Sequence, residues 1–152
     1  MPAAAVPESA FTLLHPRPKT ALCWREDRIT YPDLLAHAAA LAALHPSAPG
    51  ARVVIYSENR PEWVAALFGV WRNRCVAVPV DALSPAAELA YILGQTNPVA
   101  VFCSAKTRPA VAEALKGLPV PAPRVLCFDS EDFPARPAGM PAGAALASGP
   151  AD

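Results

Sequence analysis

The sequence predicts an α/β fold: a three-layer sandwich on a mostly parallel sheet, preceded by a short β-hairpin. Three observations predict it. Short runs such as Arg52–Tyr56 (RVVIY), Cys75–Val80 (CVAVPV) and Val99–Cys103 (VAVFC) are apolar nearly throughout, as strands covered on both faces must be. Stretches with apolar residues at helical spacing separate those runs, and alternation of this kind makes right-handed β-α-β units the natural connection. Nothing repeats at a period of 20–50 residues, which excludes a solenoid.

The elements follow in order. Ala21–Trp24 and Arg28–Tyr31 flank Glu26-Asp27 and read as the hairpin. Thr30 and Asp33 stand at capping-box spacing, Pro32 fits a first turn, and Leu34, Leu35, Ala38, Leu41 and Ala42 mark a helix face. After the strand Arg52–Tyr56, Asn59 and Glu62 repeat the capping spacing around Pro61. The helix they open, Pro61–Arg74, carries Trp63, Leu67, Val70 and Trp71, with Val64 and Phe68 widening the stripe. A helix lying on one sheet needs an apolar arc of roughly 100°, and this arc is wider, so its far side is expected to pack on something more. Ser84-Pro85 is predicted to cap a third helix with Leu89, Ile92 and Leu93. Val99–Cys103 is then a strand, Ala105–Lys116 a fourth helix, and Arg124–Phe128 a last strand.

The 19 prolines of the 152 residues set the organisation, because proline breaks helix interiors. Residues 1–19 read as a Pro-rich lead-in, 20–128 as one α/β subdomain, and 129–152 as a loosely attached Pro/Gly/Ala-rich tail. The 13 basic and 13 acidic residues cancel, which argues against nucleic acid or anionic lipid as partner. No run reaches the ~18 apolar residues of a membrane span, and the start lacks the pattern of a secretory signal, so a cytoplasmic location is expected. Cys23, Cys75, Cys103 and Cys127 share no metal-ligand or CxxC spacing and read as buried core thiols.

Chemistry in such a sheet belongs beyond the carboxyl ends of the strands, at Ser57–Arg60, Asp81–Ser84 and Ser104–Thr107. No GxGxxG or GxxxxGK[ST] is present to cradle a phosphate. Asn59 reads as a helix cap. Glu58 with Glu62 suits a helix start electrostatically, and Asp129, Glu131 and Asp132 form an acidic loop. His15, His37 and His45 are scattered without a catalytic spacing and read as surface residues. Asp81 follows a strand as in a phosphoreceiver, but neither an acidic pair after the first strand nor a lysine late in the fold is placed to complete that set. No residue is assigned a catalytic, cofactor-binding or metal-binding role.

Taken together, ALCWREDRITYPDLL and ARVVIYSENRPEWVAALFGVWRNRCVAVPVDALSPAAELAYILGQTNPVAVFCS resemble the opening of the adenylate-forming superfamily, the AMP-binding acyl-CoA synthetases. The carriers are the hairpin ending I-T-Y, the N-x-P-E-W helix start (Asn59, Pro61, Glu62, Trp63), the V-P-V-D turn at Val78–Asp81 and the E-L-x-Y-I-L helix at Glu88–Leu93. The likeness covers Thr20 to Ser104 and more weakly reaches Phe128; the S-E-N-R-P-E-W wording is most similar to the long-chain fatty acid–CoA ligases.

The resemblance implies a parent ligase that uses ATP, Mg2+ and coenzyme A: a carboxylate attacks the α-phosphate, pyrophosphate leaves, and a thiol then displaces AMP. It also implies that the rest of the parent enzyme supplies the Ser/Thr/Gly-rich phosphate loop, the aromatic-Thr-Glu motif, the Asp/Arg pair and the late lysine. None of these is found here, so the segment alone is expected to bind no cofactor and to be an inactive scaffold. A homodimer through the apolar helix around Trp63 and Trp71 is the other expected contact. The runner-up reading is a standalone Rossmann-like binding or interaction module without ligase activity.

Overall fold

The computed structural model of the protein describes residues 17–119, 121–137 and 140–141. Two strands, β1 (Thr20–Trp24) and β2 (Asp27–Thr30), form the expected hairpin around Arg25, whose φ of 55° makes the reversal. Helix α1 (Tyr31–Ala43) then starts at the predicted capping box: Thr30 Oγ1 accepts from the Asp33 N–H, and the Asp33 carboxylate accepts from the Thr30 N–H.

The parallel sheet has the order β4-β3-β5-β6, made of β3 (Arg52–Tyr56), β4 (Val76–Val80), β5 (Ala100–Cys103) and β6 (Arg124–Cys127). Helices α2 (Pro61–Arg72), α3 (Ala86–Thr96) and α4 (Arg108–Leu115) make the crossovers. Alternation along the strands sorts the core into two faces. Val53, Ile55, Ala100, Phe102 and Leu126 pack with α1 and α2 on one side. Val54, Tyr56, Val101, Cys103 and Cys127 pack with α3 and α4 on the other. The three-layer sandwich is thus observed, and Asn97 closes α3 in the left-handed conformation at φ 45°.

Several local expectations are corrected. Asn59 does not cap α2; Arg60 holds the N-cap position, without a side-chain cap bond, and its guanidinium takes Glu62 instead. Ser84 does not cap α3, because Pro85 occupies the cap and the Ser84 carbonyl accepts from the Tyr56 hydroxyl at 2.6 Å. The buried residues of α2 are mostly small, Ala65, Ala66, Gly69 and Val70 among them, while Trp63, Val64, Leu67, Phe68 and Trp71 lie along the flank, Leu67 and Phe68 among the half-buried. Helix α4 is shorter than predicted because Ser104–Thr107 forms its own side-chain-bonded turn first.

His37 and His45 are interior, each 3% exposed: His37 sits close to Glu62 and Pro134, and His45 lies edge-on to the Phe102 ring. His15 lies outside the described residues. Cys75, Cys103 and Cys127 are buried as expected, but Cys23 is exposed on the hairpin. The described segment after Phe128 does not hang loose. Phe133 packs edge-on against Phe102 and Phe128, Arg136 pairs with Asp27 at 2.6 Å, and β7 (Met140–Pro141) adds to β2. Apolar bulk at Phe133 and one ion pair outweigh the local proline content.

Candidate functional site

The chain direction across the sheet reverses beside β3. From β3 it runs through α2 to β4 at the edge, then returns through α3 past β3 to β5. In open α/β sheets the crevice between two such strands, outside their carboxyl ends, is where ligands bind. Here that crevice lies between the loops leaving β3 (Ser57–Arg60) and β5 (Ser104–Thr107), two of the three loops that the sequence points to.

The crevice is filled by the protein's own polar groups. Thr107 Oγ1 donates to the Tyr56 carbonyl at 2.8 Å and accepts from the Ser104 N–H at 3.0 Å. Ser104 Oγ in turn donates to Glu58 Oε2 at 2.7 Å, so the two loops are joined directly. The Asp129 carboxylate, just beyond β6, accepts from the Ala105 N–H at 2.7 Å, the amide an incoming anion would otherwise use.

Arg60 gathers the remaining charge. Its Nε lies 2.8 Å from Glu62 and its Nη1 lies 2.9 Å from Asp129 and 3.7 Å from Glu58, with the guanidinium 5.5 Å over the Phe128 ring. Burial lowers the Arg60 pKa, but hydrogen bonds to Glu62 and Asp129 outweigh it and leave the value raised. Burial pushes Glu58 upward, yet the Ser104 hydroxyl, its own backbone and Arg60 together hold it below its ordinary value. The bond from the Ala105 N–H, helped by Arg60, keeps Asp129 low against the opposing effect of burial.

Arg60 is thus shared among Glu58, Glu62 and Asp129, so its donors are committed to the chain's own carboxylates. Among the described residues no cluster of His, Cys, Asp and Glu could hold a metal ion. A cleft of about 650 Å3 opens beside the network between Trp24, Arg25, Asn59 and Arg136, and one of about 450 Å3 lies between Trp63, Asp81, Leu83 and Lys106.

The structure thus brings together Glu58, Glu62 and Asp129, which in the sequence are a helix-start pair and part of a separate loop. It leaves Glu131 and Asp132 exposed outside the network and uses Asp81 to bond the Leu83 N–H at 2.9 Å. Sequence reasoning marks no individual role for Ser104, Thr107 or Arg60. Their only signal is the presence of hydroxyls and one cation in loops placed at strand ends.

Against known proteins, the family described as "AMP-binding enzyme" matches residues 12–146. A linear gramicidin synthase from Brevibacillus parabrevis is 29% identical over 125 residues, 80% of this chain and 2% of that protein. A Mycobacterium tuberculosis fatty acyl CoA synthetase superposes with a TM-score of 0.61 at 25% identity, covering 74% of this chain and 25% of that one. A benzoate CoA ligase from Burkholderia xenovorans LB400 gives a TM-score of 0.70 at 23% identity, covering 91% of this chain and 29% of that one, a likeness of fold.

Proposed function

Because the chain belongs to the AMP-binding enzyme family, we propose that it forms the N-terminal scaffold of an ATP-dependent acid–thiol ligase that works through an acyl-adenylate. Its share in that work is to hold a rigid α/β platform against which the remainder of the enzyme assembles nucleotide and acyl sites. The carrying observation is the self-filled crevice: the switch point of the sheet is closed by Glu58, Ser104, Asp129 and Arg60, which suits a support and not a phosphate site. Coverage agrees, since the chain spans about a quarter of the fatty acyl CoA synthetase it matches.

Long-chain fatty acid is the acid we propose, on the S-E-N-R-P-E-W segment Ser57–Trp63 and the likeness to the fatty acyl CoA synthetase. Mg2+ and coenzyme A belong to the same proposal, with a cytoplasmic location; among the described residues no helix is long and apolar enough to cross a membrane. On the flank of α2, Trp63, Phe68 and Trp71 are half-buried, Trp63 and Phe68 against the chain's own core, and what they leave uncovered is our proposed contact for the remainder of the enzyme or, in the isolated chain, for a second copy.

ATP–pyrophosphate exchange tests the reading. The 152-residue chain should show none with fatty, aryl or amino acids and Mg2+, while a longer protein carrying this chain should show it with long-chain fatty acids. Exchange by the short chain would overturn the scaffold role. Exchange by the longer protein with aryl or amino acids alone would overturn the fatty acid assignment.

A further inference from the structure

Two of the four cysteines meet across the parallel sheet. Cys103 ends β5, Cys127 ends β6, and the ladder sets them directly opposite each other. Both side chains belong to the α3–α4 face, among Tyr56, Val101, Leu89 and Val111. Neighbouring strands lie about 4.8 Å apart, inside the span of roughly 4.4–6.8 Å over which two Cα atoms can carry a disulfide. The two thiols also act on each other. Burial is the main reason that the Cys103 thiol is pushed up to about 12, and the Cys127 side chain beside it adds to the effect.

Cys75 shows what is particular to this pair. It is 6% exposed, against 0% for Cys103 and 7% for Cys127. It packs on the opposite side of the sheet, where its thiol meets the Ala48 and Asn73 carbonyls at 3.6 and 3.5 Å. Burial is common to both places, whereas a facing sulfur belongs to the pair alone.

We infer that Cys103 and Cys127 form a reversible oxidation site, a dithiol that a hydroperoxide converts into a disulfide. Cys127, the more exposed of the two, reacts first. Its sulfur attacks one peroxide oxygen, the O–O bond breaks, and the thiol proton leaves with the other oxygen as water when the oxidant is hydrogen peroxide. The sulfenic acid so formed is then attacked by the Cys103 sulfur, and the hydroxyl departs as water with the Cys103 proton. The two thiols lose two electrons, and the peroxide takes them up. Cys103, kept protonated by its burial, is the resolving partner, because it carries the proton that the leaving hydroxyl needs. The new bond closes directly beneath the crevice. Cys103 precedes Ser104, which holds Glu58, and Cys127 lies just before Phe128 and Asp129, whose carboxylate holds the Ala105 N–H. Oxidation therefore ties together the two strands from which that network leaves.

Hydrogen peroxide added to the folded 152-residue chain tests the inference, with Cys23→Ser in place so that no exposed thiol joins two chains. Peptide mapping without reductant should show a Cys103–Cys127 cross-link and a mass lower by about 2 Da. Dithiothreitol should reverse both, and Cys75 should stay a free thiol throughout. Adding Cys103→Ala should stop the reaction at a sulfenic acid on Cys127 that dimedone captures, and adding Cys127→Ala should leave Cys103 reduced. Oxidation of Cys75 as fast as Cys127, sulfinic acid at Cys127 without a cross-link, or a cross-link that forms only in urea would each overturn the inference. All three are read without the alanine variants, so they decide the matter even where one of those fails to fold. None depends on ligase activity.

Discussion

The two sides of the parallel sheet are built on different principles. The α3–α4 side is aliphatic and forgiving: Leu89, Leu93, Val111 and Ala114 fill it, and Gly94 on α3 has only the Leu118 side chain within reach, 3.8 Å from where a Cβ would stand. The α1–α2 side depends on close approach. A Cβ on Gly69 would sit 2.9 Å from the Ala38 carbonyl oxygen and 3.2 Å from the Ala42 nitrogen, so α2 lies on the backbone of α1. Two buried histidines and the Phe102–Phe128–Phe133 group share that side. Backbone contact tolerates no added volume, whereas a flexible leucine gives way.

One substitution made on both sides should therefore change sign. Gly69→Ala should destabilise the chain by about 1–3 kcal/mol, because backbone must move and the helix-propensity gain cannot offset it. Gly94→Ala should stabilise it by about 0.5–1 kcal/mol through the same propensity gain at an ordinary contact distance. Urea midpoints of the two variants decide it, and equal effects would erase the distinction.

A smaller contrast lies within the α1–α2 side, between its two helix starts. Thr30→Ala should cost about 1 kcal/mol, since the cap bonds to Asp33 are made. Asn59→Ala should stay within about 0.5 kcal/mol, as the side chain of an uncapped start carries nothing. A matching loss at Asn59 would mean that it supports the Ser57–Arg60 loop in some other way.

The most gradual test is pH. Burial is the largest influence on both His37 and His45 and lowers each pKa, with Glu62 opposing it at His37 and Arg136 and Arg124 respectively adding to it. The unfolded chain then takes up protons more readily than the folded one. Stability should be fully present above the unfolded value of about 6.5 and should decline as pH falls below it toward the folded values. Glu58 and Asp129, held low in the fold, should keep their contribution above their unfolded values and lose it in a separate, more acid window. Replacing both histidines with glutamine should flatten the upper window and leave the lower one; an unchanged upper slope would place its origin elsewhere.

Much of the fold is legible from spacing. Strands apolar on both faces announce the parallel sheet, and Thr30 with Asp33 announces the first cap. The second cap deceives because Asn59 and Glu62 have the same spacing, but a guanidinium at Arg60 competes for Glu62 and wins. Sequence spacing reports which bonds are possible, not which charged neighbour arrives first. The crevice is located by its loops but not by its contents, since Asp129 reaches Arg60 and Ala105 from 69 and 24 positions away. At His37 and His45 polarity predicts exposure, and burial comes instead from distant groups packed on them, Pro134 at one and the Phe102 ring at the other.

The cysteines carry a practical consequence. Burial, with Cys127 alongside it in the sheet, pushes the Cys103 thiol up to about 12, and burial raises Cys75 as well. Thiolate is the form that reacts, and three of the four sulfurs are enclosed, leaving Cys23 on the hairpin as the accessible one. A maleimide dye added to the folded chain should therefore attach at a single position, on the strand next to the one that β7 joins. The native protein thus carries its own attachment point for a fluorophore, on the hairpin and apart from the three enclosed thiols.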